Sequence, residues 1–334
     1  MSNSKHEVDD KEDYFAITGP SSGGTIGEFA EFMRQLGNPA YSSTLNNYIW
    51  VPGNRNELQR FPLECTDDVD KSAINMILKE KGIWILNYLL HPDEINKPNC
   101  FNYICDDPNF DIANFSSSRS RRDIRRGLRN FDIRLCSCDE LRLKGFQAYK
   151  DTTLRHGYSL PDEYKFSKIT DTLNSQFYDI WGAWEDKNLM AWMTILKIDN
   201  WAMIDVARSC TQALKKSPND ALIYSATKYL MNDEKRKYIT YGLSSIQLDV
   251  NELSMHRYKL KVGYRAVPMF RKFEVHSIIR PFVYPKLSSW FLEKVANRLS
   301  KYARLRKLAG LSRILSGREK DSLNRISYNE DGCK

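Results

Sequence analysis

The segment from residue 178 to 275 has the most regular pattern of apolar and polar positions in the chain. Three apolar, β-favouring runs follow one another between Tyr178 and Arg208, separated by short polar breaks that are typical of turns. Such runs predict an antiparallel meander of three strands. Helical and strand-like patterns then alternate, which predicts helices over 221–231 and 251–261 and strands over 238–242 and 266–275. The predicted order of this segment is β-β-β-α-β-α-β.

The segment before it has a weaker pattern of the same mixed kind. Helical spacing predicts helices over 26–36, 72–81, 118–129, 139–156 and 162–173. Apolar, β-favouring content predicts strands over 47–52, 83–90, 100–106 and 131–135. The helix over 139–156 is expected to be capped by Asp139 and ended by Gly157. The fold class predicted for the chain is α/β, of the α+β type.

From Pro285 onward the pattern is helical and basic. An apolar stripe follows one side and is flanked by Trp290; its members are Leu287, Phe291, Val295, Leu299 and Tyr302. Gly310 is expected to divide the segment into two helices. A basic amphipathic helix with a Trp residue is typical of binding to an anionic membrane surface. Packing on the rest of the protein or on a partner, and contact with RNA, are the alternatives.

These patterns divide the chain into five predicted parts. At 334 residues the chain is long for one hydrophobic core, so two domains with appendages are expected. The acidic, aperiodic N-terminus predicts disorder. The parts are a disordered N-terminus (1–24), a degenerate first half (25–137), a better-formed domain (138–276), a basic helical tail (277–320) and a disordered end (321–334).

Charge and composition change this picture in one respect. The net charge is +8, and the segment 286–320 carries ten Lys or Arg against two Glu, so it accounts for the whole excess. The basicity therefore indicates little about a ligand of the core. Apolar runs are too short for a spanning helix, and the N-terminus lacks the apolar core of a signal peptide, which predicts a cytoplasmic location. Seven scattered cysteines predict neither a disulfide framework nor a metal site.

An arginine cluster lies just before the regular segment. Six Arg fall within the eleven residues 119–129, and Arg122 and Arg125 share one face of the predicted helix with two others. A solvated helix face explains such a cluster. A phosphorylated ligand, such as a cofactor pyrophosphate or a nucleotide-linked substrate, also explains it. Nucleic acid is a third possibility, which the lack of interleaved aromatic residues disfavours.

A few polar residues of the regular segment are candidates for chemistry. Asp205 and Arg208 lie near the end of the third predicted strand. Tyr241 ends a later strand, where the sites of α/β proteins tend to open, and Lys259 lies in a basic helix end. Each has a simpler explanation: a surface carboxylate, aromatic packing, or a cation favoured by the helix dipole. His256 is either a general base or a structural histidine.

In combination, these features resemble a known family. They are the arginine-rich helix start at 118–129, the meander at 178–208, the helix entry at 217–222, the strand that ends in Tyr241-Gly242, and the stretch 256–264. The last stretch resembles an F-K-x-x-x-G motif, with Tyr258 in the position of Phe. Over residues 115–275 the chain resembles the FemAB-like branch of the GNAT acyltransferase superfamily.

The resemblance implies a GNAT-like domain preceded by a degenerate GNAT-like half. It implies transfer of an acyl or aminoacyl group to an amine of a cell-surface glycan or peptidoglycan precursor. Acyl-CoA or aminoacyl-tRNA would serve as co-substrate, with no permanently bound cofactor; tRNA would be a partner only for an aminoacyl donor. The candidate catalytic residues are Asp205, Arg208, Tyr241 and Lys259. The candidates for donor binding are Arg122, Arg125, Ser217, Asn219 and Tyr224.

One departure from the family pattern concerns the donor. CoA-dependent GNAT enzymes carry a Q/R-x-x-G-x-G/A loop whose backbone N–H groups hold the pyrophosphate. The equivalent stretch here, 210–219, contains no glycine. A donor bound in another way, or an aminoacyl-tRNA, therefore stays open beside acyl-CoA. A degenerate GNAT fold that binds an anionic ligand or a membrane surface without chemistry is the alternative function.

Overall fold

The structure is a computed structural model that describes residues 23–38, 40–43, 48–53, 56–245, 252–299 and 303–316. The end predicted to be disordered at 321–334 lies outside the described residues, as does nearly all of 1–24. The predicted tail 277–320 is described except for 300–302 and 317–320, and the predicted elements 47–52 and 251–261 each lack their first residue. The predicted division of the tail at Gly310 is wrong, because one helix, Ala303–Leu315, continues through that residue.

Eleven strands form one mixed sheet in the part of the chain that is described. They are β1 (Tyr41–Ser43), β2 (Tyr48–Pro52), β3 (Glu57–Phe61), β4 (Ile85–Leu90), β5 (Cys100–Cys105), β6 (Asp132–Leu135), β7 (Tyr178–Glu185), β8 (Asn188–Ile198), β9 (Trp201–Ser209), β10 (Tyr238–Leu243) and β11 (Arg265–Val275). Their order across the sheet is β1-β2-β3-β4-β11-β5-β10-β9-β8-β7-β6.

Helices cover the sheet and extend beyond it. They are α1 (Ile26–Gln35), α2 (Lys71–Leu78), α3 (Ser118–Asn130), α4 (Cys138–Lys144), α5 (Phe146–Arg155), α6 (Glu163–Leu173), α7 (Pro218–Lys228), α8 (Glu252–Lys261), α9 (Arg280–Val283), α10 (Lys286–Arg298) and α11 (Ala303–Leu315). Short 3-10 turns occur at Ile112–Asn114 and Thr211–Lys216, and a π-helical turn at Tyr229–Asp233 follows α7.

The predicted order of the regular segment is confirmed. Strands β7, β8 and β9 form the antiparallel meander, and α7, β10, α8 and β11 follow it. The apolar runs of β7 and β8 are buried along nearly their whole length, because helices cover both faces of the sheet there.

One predicted helix is wrong in its extent and its cap. The helix expected over 139–156 is broken at Gly145 into α4 and α5. Trp192 Nε1 donates to Gly145 O at 2.9 Å, and a Cβ at Gly145 would lie 2.5 Å from Leu141 Cδ1. The cap is Ser137, not Asp139: its hydroxyl accepts from the Glu140 N–H, and the Glu140 carboxylate accepts from Ser137 N.

Strand β11 joins the two parts of the sheet. Its first half, 265–269, pairs with β5, and its second half, 270–275, pairs with β4. Strand β5, which the predicted division places in 25–137, therefore pairs on both edges with strands of 138–276, since β10 lies on its other side. The two parts consequently share one continuous sheet. Strand β10 lies in it between β5 on one side and β9 on the other.

Candidate functional site

A cleft opens where β9 and β10 part. The two strands are parallel neighbours, but only three residue pairs join them, from Trp201↔Tyr238 to Met203↔Thr240. Beyond these pairs β9 continues to Ser209 along β8, and β10 continues to Leu243 along β5. The facing edges of both strands thus have no strand partner among the described residues. We call this opening the β9–β10 cleft.

A β-bulge lies at the start of the cleft. Thr194 of β8 pairs with Val206, and Ile195 pairs with Ile204, so Asp205 is the extra residue of β9. On the opposite side, the register of β10 shifts between Thr240 and Leu243. Both strands therefore turn away from each other at the same level of the sheet.

Glycine is required at one point of this geometry. Gly242 has a φ of 69°, in the left-handed region that other residues seldom adopt. Its N–H donates to Thr240 Oγ1 at 3.0 Å, and Thr240 Oγ1 donates to Asn102 Oδ1 of β5 at 2.7 Å. The buried bond to Asn102 ties β10 to β5, on the side of β10 away from the cleft.

The far end of β9 is held by α5. Cys210 N donates to Met190 O, so the backbone groups of Ser209 point away from β8 and toward the cleft. There Ser209 N donates to Thr152 Oγ1 at 2.9 Å, and Thr152 Oγ1 donates to Ser209 O at 3.2 Å. By the same alternation the backbone N–H of Ala207 faces the cleft. Because α5 bonds the end of β9, the edge of β9 that faces the cleft is held in place.

Asp205 and Arg208 occupy β9 along the cleft. Asp205 is exposed at the bulge, whereas Arg208 is half-buried, with its guanidinium 5.7 Å from the Tyr149 ring centroid. Desolvation by the surrounding protein raises the pKa of the Asp205 carboxyl, and the charge of Arg208 opposes that rise. Burial lowers the pKa of Arg208. The two predicted residues therefore interact electrostatically but form no direct ion pair in the described structure.

Lys259 and Tyr241 meet at the end of β10. Lys259 is buried on α8, and its Nζ donates to Leu243 O at 3.1 Å. The same Nζ lies 5.1 Å from the Tyr241 ring centroid and 4.2 Å from that of Tyr103 on β5. Burial lowers the pKa of Lys259 to about 7. This amine can therefore exist with or without its proton near neutral pH.

His256 lies one turn before Lys259 and is also buried. Its Nδ1 is 3.0 Å from the hydroxyl oxygen of Tyr103, and its ring packs on Phe101 with centroids 5.5 Å apart. Tyr103 thus contacts both His256 and Lys259. The i, i+3 spacing of the two residues places them on one face of the helix, and that spacing was the available sequence signal.

The N-terminus of α7 is covered by protein. Ser217 is buried with a φ of 61°, and its hydroxyl accepts from Arg126 Nη2 at 2.7 Å. Its own N–H donates to Leu214 O, and the next residue, Pro218, has no N–H. Asn219 Nδ2 lies 3.4 Å from Ser209 Oγ. The predicted donor-binding residues Ser217 and Asn219 are therefore engaged in contacts within the protein.

A buried ionic cluster, which the sequence interpretation missed, fixes α8 to α3 and α7. Lys261 Nζ lies 2.5 Å from Asp220 Oδ1 and 2.9 Å from Asp123 Oδ2. Arg126 Nη2 lies 2.8 Å from Asp123 Oδ1. Desolvation favours a raised pKa for Asp123, but the bond and charge of Lys261 and the charge of Arg126 outweigh it and leave that pKa lowered. The cluster positions the helix that carries Lys259.

The remaining predicted donor residues are not brought together. Arg122 and Arg125 are exposed on the solvent side of α3. Tyr224 is buried, packs on Phe110 with ring centroids 5.9 Å apart, and its hydroxyl lies 3.5 Å from Asp111 Oδ2. Tyr224 thus packs within the aromatic core, whereas the two arginines are open to an anionic ligand.

A groove of about 1210 Å³ lies between the start of α3 and the end of α8. Serines and cations line much of it, including Ser116, Ser117, Ser118, Arg119, Arg257 and Lys261. Ser120 is buried in its wall, and its hydroxyl has no hydrogen-bond partner among the described residues. The same is true of the hydroxyl of Tyr258, the neighbour of Lys259. The lining can bind polar, anionic groups.

Comparisons with known proteins show similarity only at the level of structure. No protein-family model matches the chain, and no curated protein matches it in sequence. FemX is 12% identical, and the match covers 77% of this chain and 93% of FemX with a TM-score of 0.52. L-PGS from Bacillus licheniformis is 14% identical over 83% of this chain and 94% of that protein, with a TM-score of 0.49.

The comparison with FemX shows that the chain has a FemAB-like fold. The fold class predicted from the sequence is therefore confirmed. The parted neighbours β9 and β10, and the helix α7 between them in the chain, lie within this fold. At 12% identity the comparison shows the fold alone, and the chemistry has to be argued from the residues of the cleft.

Proposed function

From this fold, we propose that the protein transfers an acyl or aminoacyl group to an amine by direct attack in the β9–β10 cleft. The proposal rests on the contact of buried Lys259 with Tyr241 at the end of β10, one of the two strands that part at the cleft, and on the Ala207 backbone N–H that faces the cleft from β9. A buried amine with a pKa near 7 is suited to accept a proton at neutral pH.

The mechanism needs no nucleophile from the protein. The acceptor amine attacks the donor carbonyl carbon, and the backbone N–H of Ala207 stabilises the oxyanion that forms. Neutral Lys259 takes the proton of the attacking nitrogen. The carbon–oxygen bond of an ester donor, or the carbon–sulfur bond of a thioester, then breaks, and the proton passes from Lys259 to the leaving group. Asp205, at the bulge, accepts a hydrogen bond from the neutral acceptor amine and orients its lone pair toward the donor carbonyl.

The contacts that protein groups make at the N-terminus of α7 affect which acyl donor can bind there. In the usual CoA pose, free N–H groups at this helix start hold the pyrophosphate. Here Ser217 N is bonded, Pro218 lacks an N–H, and Arg126 occupies the adjoining hydroxyl. We therefore favour aminoacyl-tRNA as co-substrate over acyl-CoA in that pose. The exposed Arg122 and Arg125 are then available for the phosphates of tRNA.

The acceptor that we propose is an amine of a cell-surface glycan or peptidoglycan precursor. Such precursors carry diphosphate groups, and the groove beside α8 has the serines and arginines to bind them. Its wall includes Tyr264, whose ring centroid lies 5.5 Å from that of Tyr241 on β10, so a ligand bound there would lie beside the end of that strand. We accordingly place the protein in the cytoplasm or at the inner face of the membrane.

Activity is tested with the full-length protein and a panel of labelled donors. Acetyl-CoA, longer acyl-CoAs and aminoacyl-tRNA are combined with amino-sugar nucleotides and lipid-linked peptidoglycan precursors, and products are identified by mass spectrometry. We expect transfer from at least one donor, and a loss of about 100-fold in the Lys259→Met variant. The exposed Lys79 is the matched control, and Lys79→Met should retain full activity.

The alternative function predicts a different outcome of the same panel. A degenerate fold that only binds an anionic ligand would be stabilised by a donor or acceptor in a thermal-shift measurement and yet form no product. Stabilisation without transfer for every donor would therefore replace the proposed function with the binding function. The parted strands and the buried Lys259 favour transfer, because a binding groove requires neither.

A further inference from the structure

The C-terminal helices expose their large apolar side chains to solvent. On α10, Leu287 is 76%, Trp290 46% and Phe291 61% exposed, and Phe282 of α9 is 67% exposed. The i, i+3 and i, i+4 spacing puts the three residues of α10 on one face. Exposed clusters of large apolar side chains are uncommon on soluble proteins, and they mark sites that bind a partner or a membrane.

The opposite face of α10 is lined by small residues. Ser289 and Ala296 are fully buried, and α10 packs against α11, where Ala309 and Ser312 are buried as well. Ser312 Oγ donates to Val283 O at 2.8 Å, which ties α11 to α9. Helix α11 therefore covers the small-residue face of α10, and the exposed apolar face of α10 points away from α11.

Cations border the exposed apolar face. Lys286, Lys294 and Arg298 are exposed on α10, and Lys294 Nζ lies 3.9 Å from the centroid of the Trp290 ring. The segment 277–316 carries nine Lys or Arg and a single acidic residue, Glu293. Long cationic side chains can keep their charge in water while their stems lie along apolar surface.

We propose that this face of α9 and α10 docks on an anionic membrane surface. Trp is suited to the boundary between headgroups and acyl chains, and the flanking cations match the negative charge of the lipids. Among the described helices, none reaches the length and hydrophobicity that a membrane crossing requires, so the docking is peripheral. The proposal does not depend on the acyl-transfer proposal, but it would hold the protein beside lipid-linked acceptors.

Charge favours a membrane over the other occupants of such a face. A second copy of the chain would bring two strongly cationic segments together, which is costly. RNA would satisfy the charge and could stack its bases on Trp290 and Phe291, but it would leave the aliphatic Leu287 exposed to water. An anionic bilayer satisfies both the apolar and the cationic side chains.

The test is co-sedimentation of the full-length protein with vesicles. One set contains phosphatidylcholine alone, and the other contains phosphatidylcholine with about one third phosphatidylglycerol, in about 0.1 M salt. We expect binding to the anionic vesicles only, weakened as salt is raised. The Phe291→Glu variant should bind these vesicles about tenfold more weakly than the wild type does. The control is Ile95→Glu, which also replaces an exposed apolar side chain with a carboxylate but lies far away in sequence, and it should bind as the wild type does.

Other results would overturn the proposal. It fails if the full-length protein ignores anionic vesicles, or if Phe291→Glu binds them as well as Ile95→Glu does. It is replaced by self-association if the wild type sediments as a dimer that Phe291→Glu dissociates. Transfer to a water-soluble acceptor should be equal in wild type and Phe291→Glu, so failure of docking and failure of the acyl-transfer proposal are told apart.

Discussion

At the scale of single residues, Lys259 has the most unusual environment of the predicted catalytic set. Its position in a basic helix end was predictable from the sequence, but its burial was not, because the rings that enclose it come from β5 and β10. A surface carboxylate was the simpler explanation beside the catalytic role predicted for Asp205, and the residue is exposed at the bulge. Its place at a bulge was not predictable, since a bulge depends on the register with β8.

Burial of Lys259 predicts a stability effect that depends on pH. Its pKa is about 7 in the folded protein and about 10.4 in an unfolded chain, so folding opposes protonation between these values. The cost is fully present below pH 7 and vanishes as pH rises past 10. Lys259→Met should therefore raise the free energy of unfolding at pH 6 by a few kcal/mol, as measured by urea denaturation. No gain should remain near pH 10.5, and an equal gain at both pH values would contradict the burial effect.

Lys261 predicts an effect of the opposite sign. Its replacement by Met leaves the carboxylates of Asp123 and Asp220 buried without their shared cation, which costs about 3 kcal/mol of unfolding free energy. Lys272→Met is the control, since Lys272 and Glu274 form a more exposed pair at 3.3 Å and its loss should cost less than about 1 kcal/mol. Equal losses in the two variants, measured by chemical denaturation, would argue against the cluster as an anchor of α8.

Among the helices and strands, those with a regular pattern of apolar and polar positions were predictable from the sequence. The meander and the helices around it follow from runs that are buried on both faces and bounded by polar turns. Strand β3 was missed because it contains Glu57 and Arg60, which are buried. The guanidinium of Arg60 donates to the carbonyls of Cys65, Asp67 and Leu89, so its burial depends on distant loops and strands.

The contact between α3 and α7 gives a prediction for a glycine. A Cβ at Gly127 would lie 2.4 Å from Ser217 O and 2.6 Å from Ala221 Cβ. Gly127→Ala should therefore force the helices apart and lower the free energy of unfolding by about 1–3 kcal/mol.

Gly27 of α1 is the matched control for that substitution. A Cβ there would meet nothing closer than Thr25 Oγ1 at 4.0 Å, so Gly27→Ala should stabilise the protein by about 0.5–1 kcal/mol. Thermal unfolding of the two variants measures the change in stability that each substitution causes. If Gly127→Ala is as stable as Gly27→Ala, the close crossing of α3 and α7 is not a constraint.

At the scale of the whole molecule, the sequence predicted the fold class and the FemAB-like fold, which the structure and the comparison with FemX confirm. It did not predict that β11 would pair with both β4 and β5 and so join the two parts in one sheet. Such pairing depends on contacts between residues far apart in sequence, which no local periodicity records. The division into a first half and a better-formed domain stays a prediction.

The charge distribution of the whole chain separates two roles. The cleft side chains Asp205, Arg208 and Lys259 form no cationic surface, whereas the segment 277–316 concentrates positive charge beside exposed apolar residues. We therefore expect chemistry and docking to be lost independently of each other. Lys259→Met should bind anionic vesicles as the wild type does, and Phe291→Glu should keep its transfer activity. Parallel loss of both properties in either variant would show that the two regions are coupled.

We propose that Lys259 accepts the proton during acyl transfer in the β9–β10 cleft. This role is tested by the single-turnover rate of transfer as a function of pH, measured with the donor and acceptor that the panel identifies. We expect the rate to rise roughly tenfold per pH unit at low pH and to level off above about 7, and we expect the Lys259→Met variant to lack this rise. A Lys259→Met variant with the wild-type rate and the same pH profile would contradict it.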